Sequence, residues 1–260
     1  MAFINYTTKN LAIKIIYYGP GLSGKTTNIR HVYKMLDSSS RGDLICLETD
    51  TERTFFFDLL PIKAGQISDF EIHFQLMTVP GQVFYEASRK SVLKGADGIV
   101  FVADSQVPLL DANLESFDGL RKNMLQHNVD LNSIPLVFQY NKRDLDNLIP
   151  VETFNNLLNP RKLPYIESSA INGVGVVETL KEISKQTVPV VKEKIFGGKR
   201  EEPKKEEKKE EKPARDEEIE FVTRDKISPI QFVKMKFKSQ EDIEKEIEKL
   251  TREFTGKSKH

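Results

Sequence analysis

Eight residues, Gly19-Pro20-Gly21-Leu22-Ser23-Gly24-Lys25-Thr26, stand between two runs of different periodicity and limit what this chain can become. Ahead of them, Ala12-Ile13-Lys14-Ile15-Ile16-Tyr17-Tyr18 is rich in β-branched and aromatic residues and reads as a strand. Behind them, Lys25 to Leu36 reads as a helix. Glycines allow successive backbone N–H groups to curl into a nest with no Cβ in the way. The helix opening near Lys25 adds the positive end of its dipole. Such a nest takes a polyphosphate. The pattern G-x-x-x-x-G-K-[ST] in a strand–loop–helix setting is the phosphate loop, with Lys25 reaching the β- and γ-phosphates and the Thr26 hydroxyl ligating Mg²⁺. Gly19, Gly21, Leu22, Ser23, Gly24, Lys25, Thr26 and Thr27 form the expected phosphate-binding set. The alternative is a glycine turn that binds nothing, against which the flanking strand and helix argue.

The chain onward to about residue 196 alternates strand-like and helical stretches. Leu44 to Thr49, Ile72 to Val79, Gly98 to Ala103, Pro135 to Tyr140 and the short Leu163 to Glu167 read as strands. Asp111 to Gln126 and Val174 to Lys194 are periodic and long enough for helices. Runs such as Ile99-Val100-Phe101-Val102-Ala103 suit strands covered on both faces. The expected fold class is therefore α/β, a P-loop NTPase with a mostly parallel sheet between helices, followed by a charged C-terminal extension.

That extension follows from charge placement. The whole chain carries 39 Lys/Arg and 39 Asp/Glu, which removes the basic excess on which nucleic-acid or membrane-surface binders depend. Residues 199–218, however, are charged at 17 of 20 positions, with almost nothing to bury, and read as a solvated linker. The expected division is a nucleotide-binding domain over 1–196, a linker over 197–218, and a small strand–helix unit over 219–260. In that unit Val233, Met235 and Phe237 alternate with lysines. Ile243, Ile247, Leu250 and Phe254 then fall on one helical stripe, and the unit is expected to dock on the preceding domain or on a partner. The single cysteine, Cys46, excludes an internal disulfide. With no long apolar run, no signal-peptide pattern and no lipidation site, the chain is expected to be cytoplasmic, without a direct membrane anchor.

Asn141-Lys142-Arg143-Asp144 follows the strand-like Leu136-Val137-Phe138-Gln139-Tyr140 and identifies the base. The Asp144 carboxylate can accept from N1–H and the 2-amino group of guanine, whereas adenine offers a lone pair and no amine. Charge-assisted bonds contribute about 1.5–3 kcal/mol each, so losing two discriminates strongly. Asn141 would tie this loop to the phosphate loop, and the Lys142 stem would cover the base. In Glu167-Ser168-Ser169-Ala170, the Ser169-Ala170 backbone can meet the guanine 6-oxo group. Each motif ends a strand, where open α/β sheets bind ligands. GTP or GDP is the expected ligand; a P-loop kinase or other ATP-using enzyme is the contrary reading.

These residues resemble the small Ras-like GTPases. Glu48-Thr49-Asp50-Thr51-Glu52-Arg53-Thr54-Phe55-Phe56-Phe57-Asp58-Leu59-Leu60-Pro61, with Thr78-Val79-Pro80-Gly81-Gln82-Val83-Phe84-Tyr85, is similar to the bacterial MglA-type branch, which governs cell polarity and motility. The resemblance covers about residues 8–195 and not the tail. It implies a slow GTPase acting as a molecular switch and stimulated by a Roadblock-fold MglB dimer. It also implies effectors that favour the GTP form and recruitment to a cell pole. It places Gln82, after Gly81, where the attacking water is oriented, and Thr54 on Mg²⁺ and the γ-phosphate. The Arg53 guanidinium could neutralise charge on the transferring phosphoryl group; the resemblance favours that reading over a simply solvated arginine. Most Ras-like proteins carry Asp where Thr78 stands. Another carboxylate should then support Mg²⁺, with Asp58 the first candidate and Asp50 and Glu52 behind it. A scaffold that binds guanine nucleotide with negligible hydrolysis is the second reading.

Overall fold

The computed structural model describes residues 3–48, 55–81, 86–197 and 240–256. An eight-stranded sheet runs in the order β3-β4-β5-β2-β6-β7-β8. Its strands are β2 (Asn10–Tyr18), β3 (Ile45–Glu48), β4 (Phe55–Ile67), β5 (Phe70–Thr78), β6 (Gly98–Asp104), β7 (Leu136–Asn141) and β8 (Tyr165–Glu167), with β1 (Phe3–Asn5) antiparallel to the start of β2. From β5 through β8 neighbouring strands are parallel, whereas β3, β4 and β5 form an antiparallel ribbon at one edge.

Every residue of β2 is buried, because its alternate side chains feed two cores. Leu11, Ile13, Ile15 and Tyr17 pack with helices α1 (Lys25–Met35) and α5 (Val176–Phe196). Ile16 and Tyr18 face the opposite side, with α2 (Glu86–Leu93) and α3 (Leu110–Gln126). The short α4 (Val151–Leu157) lies between β7 and β8 in the chain and buries Phe154. The mostly parallel α/β sheet agrees with the sequence reading, and the long helices and central strands fall within a few residues of their expected bounds.

Four elements were not expected, the short β1 among them. Helices α2 and α4 are too short to show a clear stripe. Strand β4 is hidden by Asp58, Pro61 and Gly65, residues that rarely sit inside strands. Pro61 is tolerated because it lies past the β3 pairing, which ends with Ile45 opposite Leu59. Its carbonyl accepts instead from Gly42 N–H at 2.8 Å.

The helix expected in the tail is α6 (Gln240–Gly256). It packs against α2, β1 and β2. Ile247 is buried in the α2–α3 core and Leu250 packs beside it. Glu244 pairs with Lys94 at 2.7 Å, and the buried Thr251 hydroxyl donates to Gln75 Oε1 at 3.1 Å. The expected linker from 199 to 218 and the strand around Val233 to Phe237 lie outside the described residues.

Candidate nucleotide site

The loop leaves β2 and enters α1 through Gly24, which sits at φ 102° as the N-cap. A Cβ there would fall 2.2 Å from Asn141 Nδ2, so a side chain is excluded by both conformation and space. Leu22, also left-handed at φ 61°, is 91% exposed, while Ser23 is buried. Lys25 is buried, and its Nζ donates to Gly19 O at 2.9 Å and Pro20 O at 2.6 Å. Burial, then the nearby Arg89 charge, pushes the Lys25 pKa down to about 7, against a smaller upward pull from Asp58. An ammonium held in this way gains most when an anion arrives.

Thr26 Oγ1 donates to Asp58 Oδ2 at 2.6 Å, and Thr78 Oγ1 donates to the same oxygen at 3.0 Å. The Asp58 N–H in turn donates to Thr78 Oγ1 at 2.8 Å. The antiparallel register explains the triangle. Leu59 stands opposite Met77, so the next pair toward the loop is Asp58 and Thr78. A carboxylate from β4 thus reaches the space beside the threonine that ends β5. Asp58 is 1% exposed, and among the described residues its Oδ1 has no N–H or O–H partner, the Cys46 thiol being its neighbour. Across β3 it faces Cys46, whose thiol is pushed up to about 12 by burial and then by the Asp58 charge. A carboxylate oxygen with no N–H or O–H partner, beside a threonine hydroxyl, is a hard-oxygen donor set that suits Mg²⁺. The described residues contain no cluster of three or more His, Cys, Asp or Glu. Mg²⁺ needs none when nucleotide phosphates and water complete its shell.

Gly81 closes over the loop: a Cβ on it would lie 2.5 Å from Gly21 Cα. A Cβ on Gly21 would sit 3.7 Å from Gly81 O, an ordinary contact. Crowding at Gly21 therefore begins with branched side chains and not with alanine. Gln82, Arg53 and Thr54 lie outside the described residues, as do Asp50 and Glu52.

At the far end of the cleft Asn141 is the hub. Its Nδ2 donates to Ser23 O at 2.8 Å, the tie to the phosphate loop that the sequence suggested. Its Oδ1 accepts from Ala170 N–H at 2.8 Å and from Ser168 Oγ at 3.1 Å. The Ala170 N–H, expected to face a guanine 6-oxo group, is here donated within the protein. Ser169 is likewise engaged in its own turn, where its Oγ accepts from Asn172. Lys142, at φ 67°, pairs its Nζ with buried Asp104 at 2.6 Å, which fixes the stem. Asp144 is exposed and has no ion pair or side-chain hydrogen bond among the described residues.

Sequence reasoning missed Asp104 and the amide pair beneath the site. Gln139 exchanges two hydrogen bonds with Asn28, at 2.8 and 2.9 Å, and donates to Thr179. Asn28 also donates to Gly24 O, so β7, α1 and α5 are joined directly under the loop. The signal was present in Gln139, a polar residue inside an otherwise apolar strand.

The Ras family profile matches residues 47–188. Mutual gliding-motility protein MglA of Myxococcus xanthus (strain DK1622) is 51% identical over 192 residues, 74% of this chain and 98% of that protein. Ras-related protein Rab-7b of Bos taurus is 26% identical over 186 residues, 69% of this chain and 84% of its own. Human Rab-7b is 28% identical over 127 residues, 47% and 61% of the two chains. Among the described residues no helix is long and apolar enough to cross a membrane. A phosphate loop, a strand-end base motif and these relatives together make the chain a GTP-hydrolysing member of the Ras family of small GTPases, of the MglA type.

Proposed function

We propose that this GTPase is a two-state switch acting in cell polarity or gliding motility, the process in the name of its Myxococcus relative. Its intrinsic hydrolysis is slow and is stimulated by an MglB/Roadblock-type protein, and its effectors read the GTP form. The observation that carries the reading is the close approach of Gly81 to Gly21, since it puts the residue that leads into 82–85 against the phosphate loop. A γ-phosphate added there acts directly on that segment.

In this reading the loop residues from Gly19 to Thr27 surround the phosphates, and Lys25 compensates their charge. Thr26, Asp58 and Thr54 would hold Mg²⁺, which would offset charge developing on the transferring phosphoryl group. Gln82 orients water for in-line attack. Arg53 supplies a guanidinium in cis, a contribution of roughly 10³–10⁵-fold when an arginine is well placed. Asp144 selects guanine, with Asn141, Lys142, Ser169 and Ala170 shaping its pocket. For Ala170 to meet the 6-oxo group, its N–H must be shared with or released from Asn141.

Asp58 supports this reading over that of a scaffold lacking hydrolysis, because it supplies the carboxylate that Thr78 lacks. The test is single-turnover phosphate release from preloaded GTP, with and without an MglB-type partner. Slow release that the partner accelerates is expected. No release in either case would leave the scaffold.

A further inference from the structure

The helix α2 follows residues 82–85 directly, and α6 is built onto its other end. Helix α2 is only eight residues long, with Ser88, Ser91, Val92 and Leu93 buried. It packs against α3 and, more extensively, against α6. Its C-terminal end is held from two sides. From below, Lys14 Nζ donates to the Lys94 carbonyl at 2.9 Å. From above, Glu244 of α6 takes the Lys94 ammonium at 2.7 Å. A two-turn helix moves as a unit, so a displacement at Glu86 reaches Ser91 and Lys94.

The α6 contact has the character of a reversible one. Its buried anchors are Ile247 and Thr251, each 8% exposed. Beside them a solvent-open pocket of about 270 Å³ lies between Lys14, Gln75, Ser91 and Lys94 on the domain and Glu244 and Ile247 on α6. The charges are complementary: over residues 240–256 α6 carries six acidic and three basic residues, and it meets Lys14 and Lys94. Forty-three residues, 197–239, separate it from α5, so it is a tethered segment at an effective concentration on the order of 1 mM. About a quarter of this chain lies outside the match to the Myxococcus protein.

We propose that α6 is a tethered, releasable ligand of the α2–β2 face, and that its docking is coupled to the bound nucleotide through α2. The proposal rests on the switch reading above. A γ-phosphate that shifts residues 82–85 tilts α2 and changes the seat of α6. By linkage, docked α6 changes the preference between GDP and GTP by the same factor. The groove suits an acidic amphipathic helix, and α6 is the one that this chain provides in cis.

Hydrogen exchange on the full-length chain tests this, with GDP and then with a non-hydrolysable GTP analogue. Amides of 240–256 should differ in protection between the two states by about fivefold or more, the usual lower end of allosteric coupling. In Ile247→Asp the difference should vanish, and exchange of 86–93 should rise about tenfold or more. Glu244→Lys should act in the same direction, and adding Lys94→Glu should restore protection, which keeps the test open if Ile247→Asp is unstable. Equal α6 protection in both nucleotide states, or α2 exchange unmoved by both single variants, would overturn the proposal. Calorimetry on the same sample separates the two ideas. If both nucleotides bind and α6 is indifferent, only the coupling fails; if neither binds, the switch reading fails, and the variants still decide whether α6 holds α2.

Discussion

Asp58→Asn removes one charge and almost no volume, so it isolates what the carboxylate does. In the wild type its Oδ2 accepts from Thr26 and Thr78, while the buried Oδ1 has no N–H or O–H partner among the described residues at the phosphate end of the cleft. Hydrogen bonds to a charged acceptor contribute about 1.5–3 kcal/mol and neutral ones about 0.5–1.5, so neutralising Asp58 weakens two bonds by about 1 kcal/mol each. A total of about 2 kcal/mol corresponds to roughly 30-fold, before any direct loss at the metal. The assay is release of a fluorescent GDP analogue as free Mg²⁺ is titrated. The Mg²⁺ concentration that half-protects against release should rise by at least about 30-fold in the variant. Thr78→Asp in the same chain should recover much of the loss, because the two side chains meet at 3.0 Å and the carboxylate is restored one strand away. Thr78→Asp alone should be worse than the double variant, since two buried carboxylates at that distance cannot both ionise. A variant with the wild-type Mg²⁺ dependence would refute the reasoning that Asp58 stands in for the missing aspartate.

Other outcomes follow from the same geometry. Burial and the Arg89 charge hold the Lys25 pKa down to about 7, and arriving phosphates would raise it. GDP binding at pH 8 should therefore take up close to one proton and weaken as pH rises; buffer-independent binding enthalpies would contradict this. Asn141→Ala loses three hydrogen bonds, to Ser23, Ala170 and Ser168, at about 1 kcal/mol each, and should weaken GDP on the order of 100-fold by calorimetry. Gly21→Val should slow phosphate release by about tenfold or more while retaining GTP, with Gly21→Ala milder, because one Cβ fits beside Gly81 and branched methyls do not. Wild-type hydrolysis in the valine variant would remove Gly21 from the catalytic geometry.

Much of the fold was legible because β2 and β6 are buried on both faces and write themselves as largely apolar runs, broken in β2 by Lys14. The phosphate loop and the base motif were legible because their chemistry is local: a nest of glycines, a carboxylate at a strand end. Strand β4 was not, since Asp58 and Pro61 are each wrong for a strand unless one knows what lies beside them. Asp58 could be nominated as a carboxylate near the threonine, but its reach depends on a register between β4 and β5 that no local pattern carries. The engagement of the Ala170 N–H by Asn141 is equally non-local, as it depends on three loops converging. The α6 stripe announced a helix seeking a surface, and only packing could show that the surface is α2.

Base selection is the most direct test, because it asks whether the two ends of the cleft act on one ligand. Titrate GDP, ADP and xanthosine diphosphate into the wild-type protein and into Asp144→Asn by calorimetry. The wild type should bind GDP and ignore ADP by a wide margin. The variant should lose GDP and gain xanthosine diphosphate, whose 2-oxo group accepts from the new amide. Undiminished GDP binding in the variant, or equal ADP and GDP binding in the wild type, would contradict the assignment of this cleft as a guanine-nucleotide site.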